Sequence, residues 1–466
     1  MDQNKLRITI LGAGISGLAT AYWLFKAGWD VLVLEADREP GGSMISRREN
    51  GFLVDYGANS GLDTTPLIGQ LVAESGLSDR MIYADETGNK RYILKNQQLM
   101  PLPTNPFAFI KTDLFSGKAK LRLLIEPFIG RSEEGYYQSI SQFVKRRLGR
   151  EFLDYAINPF VAGVYAGNPD HLSVKSAFPK LYRLEEVYGG LVKGLIKGAR
   201  ERKKRSETSK QSARMFSFKD GMQEFSRALS AKLGDKVRFN CEVNKVLKDR
   251  HAYKVMCRLE GRAEEIESDI VVSAIPAYRA APVFAEMDRQ LYRHLSDIYY
   301  PPVKVLFLGY PTEAVGQVLD GFGFLIPERE KKKFLGAIWS SAIFPDRSTE
   351  GTVAFTLFIG GARSPDLFEN DQALLTDDVI AQFQEIMGIG PGPVFVKERM
   401  WPRAIPQYTL GYIEHERYFE AFERQHPGIF LSGNYRGGIS VGDCITNSEI
   451  RYLDIRRYIE KDITKP

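Results

Sequence analysis

The chain has 466 residues, 44% hydrophobic and 26% charged, the composition of a soluble globular protein with room for a core and an enclosed ligand cavity. Its formal net charge of +5 traces to ARERKKRSETSKQSAR, 199–214, where seven basic residues face two acids; so confined, they predict a solvated basic loop and no nucleic-acid partner. No run approaches the ~20 apolar residues of a membrane span, MDQNKLR lacks the features of a secretory signal, and Cys241, Cys257 and Cys444 with five histidines predict buried free thiols, no disulfide framework and no metal, in a cytoplasmic protein.

In chain order, LRITILGAG (6–14) is an apolar strand entering a glycine turn, ISGLATAYWLFKAG (15–28) has helical periodicity, and DVLVLEAD (30–37) is a buried strand ending in an acid. Together they predict one βαβ unit. From 103 to 200 apolar residues recur at three-and-four spacing, which predicts a helical region. Residues 215–280 look β-rich, in ARMFSFKDG, KVRFNCEVNKVLKD, YKVMCRL and SDIVVSAIP. Strands follow near 303–310 and 351–361 with the charged turn PEREKKK between them, then GIFLSG (428–433) and a last helix. Segments suited to one ligand lie at the start, middle and end, so the domain holding it is assembled from separated pieces.

Gly12, Gly14 and Gly17 follow a strand and open a helix, as a dinucleotide fingerprint requires: a tight turn, close approach of backbone to a pyrophosphate, and close helix–strand packing. The helix start offers unpaired N–H groups and the positive end of a dipole, with Ile15 and Ser16 in its first turn. Glu35 ends the second strand, placed to accept hydrogen bonds from both ribose hydroxyls and to repel a 2′-phosphate. A second glycine turn, Gly41-Gly42-Ser43 in EADREPGGSMIS, resembles the FAD-binding pattern of glutathione-reductase-like flavoproteins. The same resemblance places Val243 over the adenine and Ala274 in the strand passing the phosphates. It also gives SGNYRGGISVGD (432–443) the flavin ring, with Gly433 and Asn434 by the ribityl chain and Gly438, Ile439 and Val441 under the ring, where N–H dipoles would stabilise the reduced flavin.

Further stretches, RYILKNQQLMPLP (91–103), LRLLIEPFI (121–129), INPFVAGVYAGNPDHLSVKSAFPKLYRLEEVYGGLVKG (157–194), GFGFLIP (321–327), WPRAIPQYTLGY (401–412) and SGNYRGGISVG (432–442), resemble the protoporphyrinogen oxidase family in order and over nearly the whole chain. The resemblance implies an α/β protein. It would have a Rossmann-like FAD-binding domain of amine-oxidase type (1–90, 215–280 and 395–466), an α+β substrate domain (91–102 and 281–394) and a helical membrane-associating region (103–200). It also implies oxidation of protoporphyrinogen IX in repeated two-electron rounds, with O2 reoxidising the FAD to give hydrogen peroxide, peripheral membrane contact, and a homodimer among the assemblies open to it. Arg91 would pair with a substrate propionate, Leu325 and Phe358 would sandwich a pyrrole ring, Gly167 would lie beside the pocket and Asn59 near the flavin. Ala36, Gly57, Ala58 and Trp401 complete the implied cofactor contacts. One departure stands out: family members often carry Arg or Lys where this chain has Ser43. Open alternatives are a coproporphyrinogen III oxidase, an amine oxidase or desaturase, and a non-catalytic prenyl-binding protein related to GDP-dissociation inhibitors. The Pro- and Phe-bearing stretch PTNPFAFIKTDLF, 103–115, is either a membrane contact or a buried helix.

Overall fold

The computed structural model describes residues 6–85, 90–197, 213–250, 252–369 and 371–463. Most of the expected basic loop, 199–214, lies outside the described residues. The chain opens with β1 (Arg7–Leu11), α1 (Ile15–Lys26) and β2 (Asp30–Leu34), the unit that the opening motif predicts. β1 and β2 pair in parallel, Ile8 opposite Val31 and Leu11 opposite Leu34. A hairpin of Ser46–Glu49 and Phe52–Asp55 follows, and another of β3 (Tyr92–Lys95) and β4 (Gln98–Pro101).

The helical region contains α2 (Pro106–Lys111), α3 (Gly117–Ile125), α4 (Ile140–Arg147) and α5 (Asn158–Tyr165). Its starts are capped by side chains: Asn105 accepts from Ala108 N–H, Ser116 from Ala119 N–H, and Ser139 with Gln142 forms a capping box. α5 ends at Ala166, whose φ of 48° is left-handed.

The β-rich stretch holds a helix the sequence pattern hid, α6 (Gln223–Leu233), flanked by strands on both sides. Its Phe225, Leu229 and Leu233 pack into the core with Leu18 of α1. The long strand expected at 237–249 is broken by Asn240 at φ 52°. β5 (Val237–Arg238) therefore stays beside β2, while β6 (Cys241–Asp249) leaves to pair with β7 (Ala252–Leu259), which pairs in turn with β8 (Arg262–Ser268).

Later elements include β9 (Ile270–Ser273), β10 (Val303–Pro311), β11 (Gly323–Leu325), β12 (Phe334–Ile338), β13 (Thr352–Gly360), β14 (Phe395–Trp401), α7 (Ile413–Gln425), β15 (Ile429–Leu431) and α8 (Val441–Ile463). Two sheets position the site. A parallel sheet runs β5-β2-β1-β9-β15, so strands from the first, middle and last parts of the chain lie side by side. A seven-stranded sheet runs β14-β10-β13-β12-β11-β3-β4. One of its faces packs on the helix Gln372–Met387 through Phe355, Leu357, Val379 and Phe383; the other looks toward α5. All three cysteines are free and buried, and no helix among the described residues is long and apolar enough to cross a membrane.

Candidate functional site

The start of α1 is built to receive an anion. Gly14 is its N-cap, extended, and no side chain caps the helix, which leaves first-turn N–H groups for a ligand. A Cβ added at Gly14 would meet nothing within 4 Å. At Gly17 a Cβ would lie 2.0 Å from the Gly12 carbonyl oxygen and 3.3 Å from the Ala274 methyl. Gly14 thus borders open space, whereas Gly17 lets α1 press against β1 and β9. Ile15 and Ser16 are buried behind the turn.

Glu35 is 8% exposed. Its carboxylate accepts from Ala13 N–H at 2.6 Å and Asp37 N–H at 2.9 Å, and burial raises its pKa against the pull of those donors. Ala36 beside it is exposed. Cys241 N–H donates to the Glu35 carbonyl at 2.8 Å, which brings the start of β6, and Val243, to the same edge. Gly41 N–H donates to the Ala13 carbonyl, and a Cβ at Gly42 would sit 3.4 Å from Gly14 Cα. The second glycine turn therefore lies directly against the first. Gly57 packs against the Ser43 carbonyl, next to Ala58 and Asn59. Asn59 Nδ2 is buried with no hydrogen-bond partner, an orphaned donor at a cost of about 1–3 kcal/mol that a ligand acceptor would relieve.

The late glycine segment closes on this cradle. A Cβ at Gly433, φ 119°, would lie 3.7 Å from the Ala274 carbonyl oxygen, and Ala274 is the residue that touches Gly12 and Gly17. α8 starts at Val441 and is tied to α1 by Ser448 Oγ donating to the Ser16 carbonyl at 2.9 Å. Gly438 has φ 138°, and a Cβ there would strike Asp443 Cβ at 2.6 Å. Its N–H donates to Tyr408 Oη at 2.9 Å, and that hydroxyl donates to the Asn434 carbonyl at 2.8 Å. Ile439 is half-buried and Val441 buried behind the loop. On the opposite wall Trp401 Nε1 donates to the Tyr56 carbonyl at 2.7 Å.

The residues expected to hold substrate share one face of the seven-stranded sheet. Ile93 of β3 and Leu325 of β11 are in register and pack together toward the helical region, while Tyr92 and Leu94 point into the other core. Phe358 of β13 packs with Ala162, Ala166 and Leu335 on the same side. Gly336 of β12 stands in register with both Leu325 and Phe358, so no side chain separates the two on the intervening strand. Gly163 of α5 lies over Leu325, where a Cβ would meet its Cδ2 at 2.6 Å. Arg91 lies two residues before Ile93, just ahead of β3. It is open to solvent and sits over the Phe322 ring at 5.5 Å, yet desolvation depresses its guanidinium. Gly167 is wedged against Gln407 and Leu172.

Several residues of this region escape sequence reasoning. Gly336 is visible only through strand register. Arg363 donates to Asn158 Oδ1 at 2.7 Å and joins the end of β13 to the start of α5. Arg399 lies over the Trp401 ring at 4.3 Å and is desolvated beside Asp37 and Arg47; its spacing of two from Trp401 on β14 is the signal that the two share a face. Tyr408 lies within WPRAIPQYTLGY, where nothing local marks its hydroxyl. α2 itself has no buried residue, but Phe109 packs against Leu114 and Phe115, which are buried just after it.

Open space at Gly14, the buried carboxylate of Glu35, the orphaned Asn59 donor and the converging glycines are what an extended dinucleotide with a flavin ring requires. The residues fit FAD. Comparison with known proteins agrees: the flavin containing amine oxidoreductase family matches residues 15–447. Protoporphyrinogen oxidase 2, chloroplastic/mitochondrial, of Arabidopsis thaliana is 33% identical over 95% of this chain and 92% of its own. Coproporphyrinogen III oxidase of Bacillus subtilis is 26% identical over 98% of this chain and 100% of its own. A solved structure from Exiguobacterium sp. 255-15 superposes with a TM-score of 0.79 at 20% identity, covering 97% of this chain and 99% of the other, which shows the shared fold. The chain belongs to the flavin-containing amine oxidoreductases and, by its likeness along nearly the whole length, to the protoporphyrinogen oxidase family within them: it is an FAD-dependent oxidoreductase.

Proposed function

We propose that the chain oxidises protoporphyrinogen IX to protoporphyrin IX as a step of haem biosynthesis, with dioxygen as the electron acceptor. The observation that carries this reading is the sheet register that sets Leu325 and Phe358 on either side of Gly336, with Arg91 two residues before Ile93, the partner of Leu325. Leu325 and Phe358, on either side of Gly336 and beside α5, supply the apolar side chains against which a pyrrole ring would pack. Arg91 lacks a carboxylate partner among the described residues, and its planar fork suits a propionate. FAD, when bound, supplies the two-electron acceptor. The chain's own residues orient the macrocycle, keep water from the reacting carbon with the apolar cover, and hold the dinucleotide through Gly14, Glu35 and the 433–441 loop.

Coproporphyrinogen III is the second reading, favoured by the full-length likeness to the Bacillus subtilis protein. It carries four propionates. Arg363 is engaged with Asn158, and Lys95 with the Asp113 and Leu114 carbonyls, which favours the less acidic substrate. Product fluorescence after parallel aerobic incubation with the two porphyrinogens tests this. Protoporphyrinogen IX should be turned over with the higher kcat/KM; a clear preference for coproporphyrinogen III would replace the first reading with the second.

The proposed FAD-binding domain comprises 1–90, 215–280 and 395–466, and the substrate domain 91–102 and 281–394, with 103–200 as the membrane-facing part. Phe107, Leu124 and Phe128 are 67%, 70% and 86% exposed, beside Lys111, Lys118, Lys120 and Arg122, a combination suited to an anionic lipid surface. Co-sedimentation with anionic vesicles should fall in a Phe107→Ser/Leu124→Ser/Phe128→Ser variant; equal binding would refute the contact.

A further inference from the structure

The motif AIPQYTLG, 404–411, is specific in sequence and has no chemistry of its own, yet it lies between the two halves of the site. Gln407 and Tyr408 are each 2% exposed, and their polar atoms bond to different segments, although the Tyr408 ring also lies 6.1 Å from that of Tyr165. Gln407 Nε2 donates to the Tyr165 carbonyl at 2.8 Å, and a Cβ on Gly167 would meet Gln407 Oε1 at 2.8 Å. It therefore grips the turn that ends α5. Ala166 in that turn accepts from Ala362 N–H at 2.7 Å and packs with Phe358, so the same turn forms part of the substrate wall. Tyr408, in contrast, accepts from Gly438 N–H and donates to the Asn434 carbonyl, bracing the loop expected under the flavin. Tyr412 adds a third hydroxyl, donating to the Tyr435 carbonyl at 2.6 Å. The strap is anchored independently at both ends: Gln407 N–H donates to the Tyr299 carbonyl, Ser173 N–H to the Tyr408 carbonyl and Leu410 N–H to the His171 carbonyl.

We propose that Gln407 and Tyr408 are a pair of positioning residues that couple the α5 turn on the substrate side to the Asn434–Gly438 loop on the flavin side. This rests on the reading of the two sides as substrate wall and flavin seat. The coupling has a physical route: adjacent residues of one buried strap cannot move separately, since each is held by hydrogen bonds whose loss leaves a buried group unpaired. A shift of the 165–167 turn therefore pulls on Tyr408, and the Gly438 N–H moves with it.

The test is the flavin midpoint potential of the substrate-free holoenzyme, measured by photoreduction against a reference dye. This needs no porphyrinogen and is independent of which one is the substrate. Tyr408→Phe removes both loop hydrogen bonds; it should shift the potential and weaken FAD by about tenfold. Gln407→Leu and the milder Gln407→Glu touch nothing of the 433–441 loop. They should shift the potential in the same direction, and Gln407→Leu/Tyr408→Phe should shift it no further than Tyr408→Phe alone. A merely structural Gln407 would lower the melting temperature and leave the potential where it is. An unchanged potential in both Gln407 variants, or strictly additive shifts in the double variant, would overturn the coupling. A wild-type protein that holds no FAD would instead sink the reading beneath it.

Discussion

The dinucleotide cradle and the substrate face are made of different materials. The cradle is backbone: Gly14 borders open space, Gly42 lies against it, Gly433 and Gly438 take positive-φ turns in the loop that closes on it, and one side chain, Glu35, adds polarity. The substrate face is side chain: Ile93, Leu325 and Phe358 come from three separate strands and are brought together by sheet register, with Arg91 just before the first of them. What a backbone site needs is short-range spacing, whereas a side-chain site depends on pairings hundreds of residues apart. Substitutions should accordingly act on the cradle through added bulk and on the sheet face through lost contacts.

The sharpest contrast lies inside the cradle. Gly17→Ala puts a methyl 2.0 Å from the Gly12 carbonyl oxygen, where α1 cannot back away without leaving the sheet. It should destabilise the protein by about 3 kcal/mol or more, seen as loss of soluble protein or a large drop in melting temperature. Gly14→Val points into open space. The apoprotein should stay within about 0.5 kcal/mol of wild type, while FAD affinity, followed by flavin fluorescence, falls at least about a hundredfold. A Gly14→Val protein that binds FAD normally would show that the pyrophosphate does not pass there.

On the sheet face, Arg91→Ala should raise KM for the porphyrinogen about ten- to a hundredfold, the range expected for one charge-assisted hydrogen bond, with FAD content unchanged. An unaltered KM would remove Arg91 from the substrate site. The smallest expected effect lies outside both regions. His294 and His415 face each other with Nδ1 atoms 3.0 Å apart, His294 stacked on the Tyr418 ring and His415 on that of Phe419, near Asp288, Asp297 and Glu414. Burial depresses both pKa values, so the folded state resists protonation and stability should fall as pH drops below about 6.5. The melting temperature should fall less steeply between pH 7.5 and 5.5 in His415→Phe than in wild type, by on the order of 1–2 °C; parallel profiles would mean the pair does not titrate in that window.

The contrast also explains what could be foreseen. The opening strand–helix–strand, Glu35 and the late strand at 429–431 are legible because each is a run of a few residues with a period and a terminator. α6 was hidden because its apolar stripe is short and sits between strands, and the break at Asn240 because a single left-handed residue leaves no periodic trace. Gly336 and Arg399 matter only through their neighbours across strands, which one sequence does not display. Arg91, Leu325, Phe358, Gly167 and Asn59 entered through family likeness, and the fold explains why periodicity could not find them. Tyr408 lay in plain view within a quoted motif, but its hydroxyl acquires meaning only when Asn434 and Gly438 fold against it.

The claim on which the rest depends is that one cradle and one sheet face serve a single reaction. Anaerobic addition of protoporphyrinogen IX to the FAD-loaded protein should bleach the flavin absorbance, more slowly at the same concentration in Arg91→Ala. Flavin that stays oxidised with both protoporphyrinogen IX and coproporphyrinogen III would contradict the account.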